Sequence, residues 1–239
     1  MVARIVSEVL SAQVRTLDLT ARDGAWRGAS CTEDEVAVIA VPSYGGRMPS
    51  LAAERLSAIS GGGARAVLVC VYGNRAFEDT LVEMEDRAVA SGFRVVAAVA
   101  AVVEHSIVRK YAAGRPDSED RLRLEEYARR IAERLHAGAD SLMEPLPGNR
   151  PYRESKRVGL VPLPSRACDG CGACARRCPA GAIDAADPKR VDEARCISCM
   201  ACVAVCPKSV RRISRVKAAA VSAMLGKVCS GRRECGIFL

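Results

Sequence analysis

The sequence predicts two units of different construction: an α/β doubly wound parallel sheet, then a small α+β unit organised by cysteine. Three observations carry this. Apolar β-branched runs alternate with helical periodicities over residues 1–138, as strands and crossover helices do in a parallel sheet. Ala139–Pro164 holds Pro145, Pro147, Pro151, Pro162 and Pro164, the composition of an extended linker. Ten of the twelve cysteines follow residue 150, leaving only Cys31 and Cys70 before it. The chain therefore divides into 1–138, a linker 139–165, and 166–239.

The first unit opens on an amphipathic helix, with Val2, Ile5, Val6, Val9 and Leu10 at helical spacing. Strands are expected at Val14–Leu19, Val36–Val41, Ala66–Val71 and Phe93–Val103. The last three are nearly all apolar, as parallel strands covered on both faces are. Helices are expected at Ser50–Ser60, Glu78–Ala90 and Ser118–Ala137. In such sheets ligands bind beyond the carboxyl ends of the strands. Two loops there combine glycine with an aromatic able to stack on a flat ring: Pro42-Ser43-Tyr44-Gly45-Gly46 and Tyr72-Gly73-Asn74-Arg75-Ala76-Phe77. The alternative is an ordinary strand-to-helix turn whose tyrosine caps the core. His105 sits at the ligand edge of the sheet or braces its loop, Cys70 reads as a buried thiol acting as a small hydrophobe, and Trp26 has no assignable role.

Charge separates the units as sharply as cysteine does. The whole chain carries +8, but residues 1–150 hold 19 Lys/Arg against 21 Asp/Glu, a net of −2. Residues 151–239 hold 17 against 7, a net of +10. The longest apolar run, Val95–Val103, falls well short of the roughly 20 residues of a membrane span. Arg4 and Glu8 within Met1–Ala12 are unlike a secretory signal, so a reducing cytoplasm is expected, where cysteines favour metal over disulfides.

The cysteines read Cys168-x2-Cys171-x2-Cys174-x3-Cys178-Pro179, then Cys196-x2-Cys199-x2-Cys202-x3-Cys206-Pro207. Each position of the second set lies 28 residues after its counterpart, so the segment is an internal duplication. A [4Fe–4S] cubane needs one thiolate per iron, and three cysteines at two-residue gaps on a tight turn can wrap three corners. Gly170 and Gly172 ease that turn. In this motif the fourth cysteine ligates the other cluster. The expected sets are therefore Cys168, Cys171, Cys174 and Cys206, and Cys196, Cys199, Cys202 and Cys178. Paired zinc sites are the alternative, but zinc modules do not require x3-Pro after the third cysteine in both copies. Short hairpins are expected near Ala182–Val191 and Ser209–Ser214, and an amphipathic helix at Val216–Val228. Cys229 and Cys235 read as spectator thiols. No Phe, Tyr or Trp lies between Arg153 and Ile237, so bound clusters must substitute for a large core, coupling metal binding to folding.

Residues Arg166–Ser214 closely resemble the bacterial two-cluster ferredoxin family. Roughly Met1–Gly138 resembles the flavodoxin-like fold through its two aromatic-glycine loops. That resemblance implies FMN, with Tyr44 and Phe77 flanking the isoalloxazine and Gly45, Gly46, Gly73 and Asn74 supplying backbone or polar contacts. The family begins with a strand and a phosphate loop at a helix N-terminus, whereas this chain begins inside that helix. In strand order 2-1-3-4-5 the missing strand lies between neighbours, so a gap in the sheet is expected. Either the native start lies upstream or the domain is remodelled and holds no flavin.

The arrangement resembles flavodoxin–ferredoxin fusion proteins of anaerobes, which implies an iron–sulfur electron carrier exchanging electrons with a flavin. The alternatives are a flavin-dependent oxidoreductase subunit and a ferredoxin fused to a non-flavin docking domain. No nucleophile–base constellation points to a substrate-level enzyme. The basic second unit favours a redox partner with an acidic docking surface. Arg211, Arg212, Arg215 and Lys217 form a basic stripe, but without aromatics for base stacking a nucleic-acid partner is disfavoured.

Overall fold

The computed structural model describes residue 8, residues 13–154 and residues 159–239. Strands β1 (Val36–Pro42), β2 (Arg65–Tyr72) and β3 (Arg94–Val102) run parallel, each paired with the next, with Ile39 opposite Leu68 and Leu68 opposite Ala98. Nearly every residue of β2 and β3 is buried, so both faces are covered and the apolar runs need no alternation. The crossover helices are α1 (Ser50–Leu56) and α2 (Thr80–Ala90), followed by α3 (Ser118–His136). Leu81, Val82, Met84 and Ala88 turn α2 onto β2 and β3. Helix α3 starts where Asp117 accepts from the Asp120 amide and Asp120 returns the contact, satisfying two otherwise unpaired donors.

Several expectations need correction. The helix expected over Val2–Leu10 lies outside the described residues except for Glu8, which is helical. Val14–Leu19 forms no strand: Val14 is exposed, Leu17 and Leu19 only lean on the core, and the Leu19 carbonyl accepts from Arg55 instead of a neighbouring strand. The sheet contains no internal gap and does not reproduce the order 2-1-3-4-5. Its order is β1-β2-β3-β6, where β6 (Gly236–Phe238) comes from the end of the chain and pairs antiparallel with β3. The last strand thus joins the first unit's sheet across the whole cysteine segment.

The proline-rich stretch is not a free tether. Asp79 accepts from the Asn149 amide at 2.8 Å and the Arg153 amide at 2.7 Å, and Arg150 pairs with Glu85 and Asp86 of α2. Leu146 and Leu160 are buried. Trp26, without an assigned role in the sequence, is a core residue whose ring is covered by the guanidiniums of Arg27 and Arg55.

In the cysteine unit, Ile183 bridges Val191 as the first expected hairpin requires. The second does not form. Strand β5 (Arg211–Arg212) pairs instead with β4 (Leu163–Pro164), upstream of the first cysteine. Leu163 lies 28 residues before Val191, and Arg211 lies 28 after Ile183. The duplication therefore includes the linker's end: in each half, the segment entering one triplet pairs with the segment leaving a fourth cysteine. Helices α4 (Ala173–Arg177) and α5 (Ala201–Ala204) pack on each other between them. Helix α6 (Arg215–Cys229) leads back to the sheet.

Candidate iron–sulfur centres and the sheet edge

The repeat is visible in the backbone. Left-handed conformations occur at Gly170, Gly172 and Gly181, and 28 residues later at Ser198, Met200 and Ser209. Gly172 and Met200 are the residues from which α4 and α5 start. Hydrogen bonds repeat as well. The Cys168 amide donates to the Ser165 carbonyl and the Cys196 amide to Glu193, while the Cys178 amide donates to Ala175 and the Cys206 amide to Val203. The sulfur of Cys178 accepts from the Ala182 amide at 3.3 Å, and the equivalent amide, Val210, reaches Cys206.

These turns enclose two cavities. Cys168, Cys171, Cys174 and Cys206 line one of about 20 Å³, together with Gly172, Lys208 and Arg211. Cys178, Cys196, Cys199 and Cys202 line the other, also of about 20 Å³, with Ala182, Ile183 and Ile197. Each cavity thus receives three cysteines from one copy and the fourth from the other. Among the described residues, no three His, Cys, Asp or Glu side chains are gathered tightly enough for a single metal ion.

Three of these thiols are shifted, and not in one direction. Burial, reinforced by neighbouring cysteines and opposed by Arg211, pushes the Cys202 thiol up to about 12. Burial also raises Cys199, with Cys178 and Cys196 adding to it. Cys206 moves the other way: burial works against its thiolate, but the backbone N–H groups of Val210, Arg211, Lys208 and Ser209 outweigh it. Sulfur accepting from converging amides is a ligand environment suited to an anionic cluster. Sequence reasoning missed Arg211, which it placed in an exposed basic stripe. The guanidinium is 2% exposed and lines the first cavity.

The sheet edge does not offer the expected flavin slot. Asn74 is buried, its Nδ2 donating to the carbonyls of Cys229 and Gly231 and its Oδ1 accepting from the Arg233 amide. Phe77 stands edge-on to Tyr72 and to Phe238 of β6, with ring centroids 5.3 and 6.4 Å apart. Gly73 abuts His105, and the Gly46 carbonyl accepts from the Asp79 amide. Gly45 is exposed. Tyr44 pairs with Arg47 and lies in electrostatic range of Cys199, so it faces the second cysteine set. The chain's own segment 229–238 therefore occupies the carboxyl ends of the strands, held also by Tyr72 to Glu234 and Tyr127 to Cys235. The six residues expected at FMN do not form a joint slot: Gly46, Gly73, Asn74 and Phe77 are engaged within the chain, Gly45 is exposed, and Tyr44 is turned to the second cysteine set. His105 braces its loop, its Nδ1 accepting from the amides of Ile107 and Val108. Cys70 is fully buried in β2, its thiol pushed up to about 12 by burial.

A duplicated cysteine unit with two thiol-lined cavities defines a ferredoxin-type iron–sulfur region. Residues 167–210 match the 4Fe-4S dicluster domain family, which assigns iron–sulfur electron-transfer chemistry to this region. No curated protein and no solved structure matches the chain. Among the described residues, no helix is long and apolar enough to cross a membrane.

Proposed function

We propose that the chain is an electron carrier holding two [4Fe–4S] clusters, with the first unit serving as a docking scaffold that binds no flavin. Cys168, Cys171, Cys174 and Cys206 hold one cluster, and Cys178, Cys196, Cys199 and Cys202 the other. The observation that carries this reading is the crossed lining of the two cavities. Zinc sites do not require a third cysteine at a two-residue gap and a fourth at x3-Pro in both copies. When bound, each cluster accepts and returns a single electron. The chain's own groups set the conditions: amides solvate the sulfurs, and α4 against α5 fixes the spacing between the two sites.

The partner presents an acidic surface. A cleft of about 460 Å³ between the units is lined by Arg22, Arg27, Arg55 and Arg195 against one carboxylate, Glu54. Ala180 and Ile197 line both this cleft and the second cavity, so a docked anionic surface lies one residue layer from that cluster.

Anaerobic purification with iron, sulfide and flavin quantified together tests the assignment. The expected content is about eight irons per chain and no flavin. Cys178→Ala is expected to disturb the cluster of Cys196, Cys199 and Cys202, leaving the other intact. Stoichiometric zinc, or loss of the Cys168-Cys171-Cys174 cluster in that variant, would refute the ligand assignment; stoichiometric FMN would refute the docking-scaffold reading. Electron transfer to an acidic partner is expected to slow as ionic strength rises.

A further inference from the structure

The most deeply buried cation in the cysteine unit is Arg211, at 2% exposure. Its Nη1 donates to the Pro162 carbonyl at 2.9 Å and its Nη2 to the Pro188 carbonyl. Both partners are neutral, and no ion pair joins it to a carboxylate among the described residues. Burying a charge without a counter-charge is strongly unfavourable. The sites facing Arg211 are thiol-lined: the residue lines the first cavity and its charge acts on Cys202 of the second. The duplication sharpens the point, because the matching position in the other copy is the apolar Ile183, which lines the second cavity. The two halves thus differ in charge at matching positions of the repeat.

We infer that Arg211 is the internal counter-charge of the clusters and a positioning residue that sets their reduction potentials. This rests on the two-cluster reading. A fixed positive charge in a low-dielectric site stabilises the reduced, more negative state over the oxidised one, so it raises the potential. The charge acts on the two clusters unequally, because Arg211 lines the first cavity and its guanidinium acts on Cys202 of the second. The asymmetry between Arg211 and Ile183 then separates the two potentials, giving electrons a preferred resting site.

The test compares Arg211→Lys and Arg211→Met with wild type in the loaded, full-length protein, reading iron content and potentials by reductive titration with EPR. Lysine keeps the charge, and methionine keeps the bulk without it. Arg211→Met is expected to shift both potentials negative, one more than the other, while Arg211→Lys stays close to wild type. Because the charge is buried, the shift persists at high salt, whereas Lys208→Met, at the exposed Lys208–Asp169 pair, gives a smaller shift that salt removes. Loss of iron in the methionine variant alone also supports the inference, since it shows the site needs the charge. Unchanged potentials in fully loaded Arg211→Met, equal shifts in both variants, or equal iron loss in both would overturn it. Wild-type protein without iron and sulfide would instead sink the cluster reading itself.

Discussion

In the sheet region, Leu68, Leu81, Leu124 and Ile131 are completely buried, and one apolar cluster runs from Trp26 to Cys235. In the cysteine unit the buried apolar cluster is Cys174, Ala175, Cys178, Ala182, Ile183 and Cys202. Half of that cluster is cysteine. One region is held by side chains that exclude water from each other, the other by side chains arranged to receive something inorganic. Burial of apolar area alone is enough for the first and far too little for the second. The regions also differ in how they treat charge. The sheet region pairs its buried Arg115 with Asp120, whereas the cysteine unit buries Arg211 with no carboxylate paired to it among the described residues.

Removing iron should break this comparison most completely. Chelated protein is expected to lose amide dispersion over 163–212 while β1–β3 stay protected from hydrogen exchange. Native-like shifts for Ile183 and Val191 in iron-free protein would show that the unit has a sufficient core of its own.

Within the sheet region the largest single effect is expected at Asp120. It is fully buried, and it accepts from Arg115 and from the Asp117 amide. Asp120→Asn leaves the Arg115 guanidinium without its counter-charge and should cost about 3–5 kcal/mol in denaturant unfolding. Burial would raise the Asp120 carboxyl, but the Arg115 guanidinium and the Asp117 amide hold it below the ordinary 3.8. A depressed carboxylate contributes stability that is complete above the unfolded value and lost as pH falls through the folded one. Acid unfolding should therefore begin below about pH 4 and be shallower in Asp120→Asn. An unaltered acid limb in the variant would remove Asp120 from the account.

A smaller loss is expected when the tail is released. Asn74→Ala strands the carbonyls of Cys229 and Gly231, at about 1–3 kcal/mol. The amides of Gly236–Phe238 should then exchange faster, with those of β2 unaffected. The smallest effects test the duplication. Gly170→Ala places a side chain in a left-handed turn and should cost about 1–2 kcal/mol. Ser198→Gly at the matching position relieves that strain and should be neutral to stabilising by less than about 1 kcal/mol. Thermal midpoints measure both, and equal destabilisation would mean the two turns are not equivalent.

The two cysteine sets and their 28-residue offset could be read directly, because cysteine spacing along a turn is a local property of the chain. The apolar runs of β1, β2 and β3 were legible for a similar reason: a strand buried on both faces cannot hide its composition. Val14–Leu19 misled, since a β-branched run without a paired neighbour remains coil. The closure of the sheet edge was out of reach. Gly236–Phe238 has no strand signature, and it becomes β6 only because Asn74, Tyr72 and Tyr127 hold the preceding backbone in place. The same limit applies to Arg211, which among four basic residues looks like solvated surface. Its burial follows from β4, a two-residue strand contributed by the supposed linker. Pairings made across tens of residues depend on which backbone groups remain unpaired after folding, and a linear pattern does not encode that.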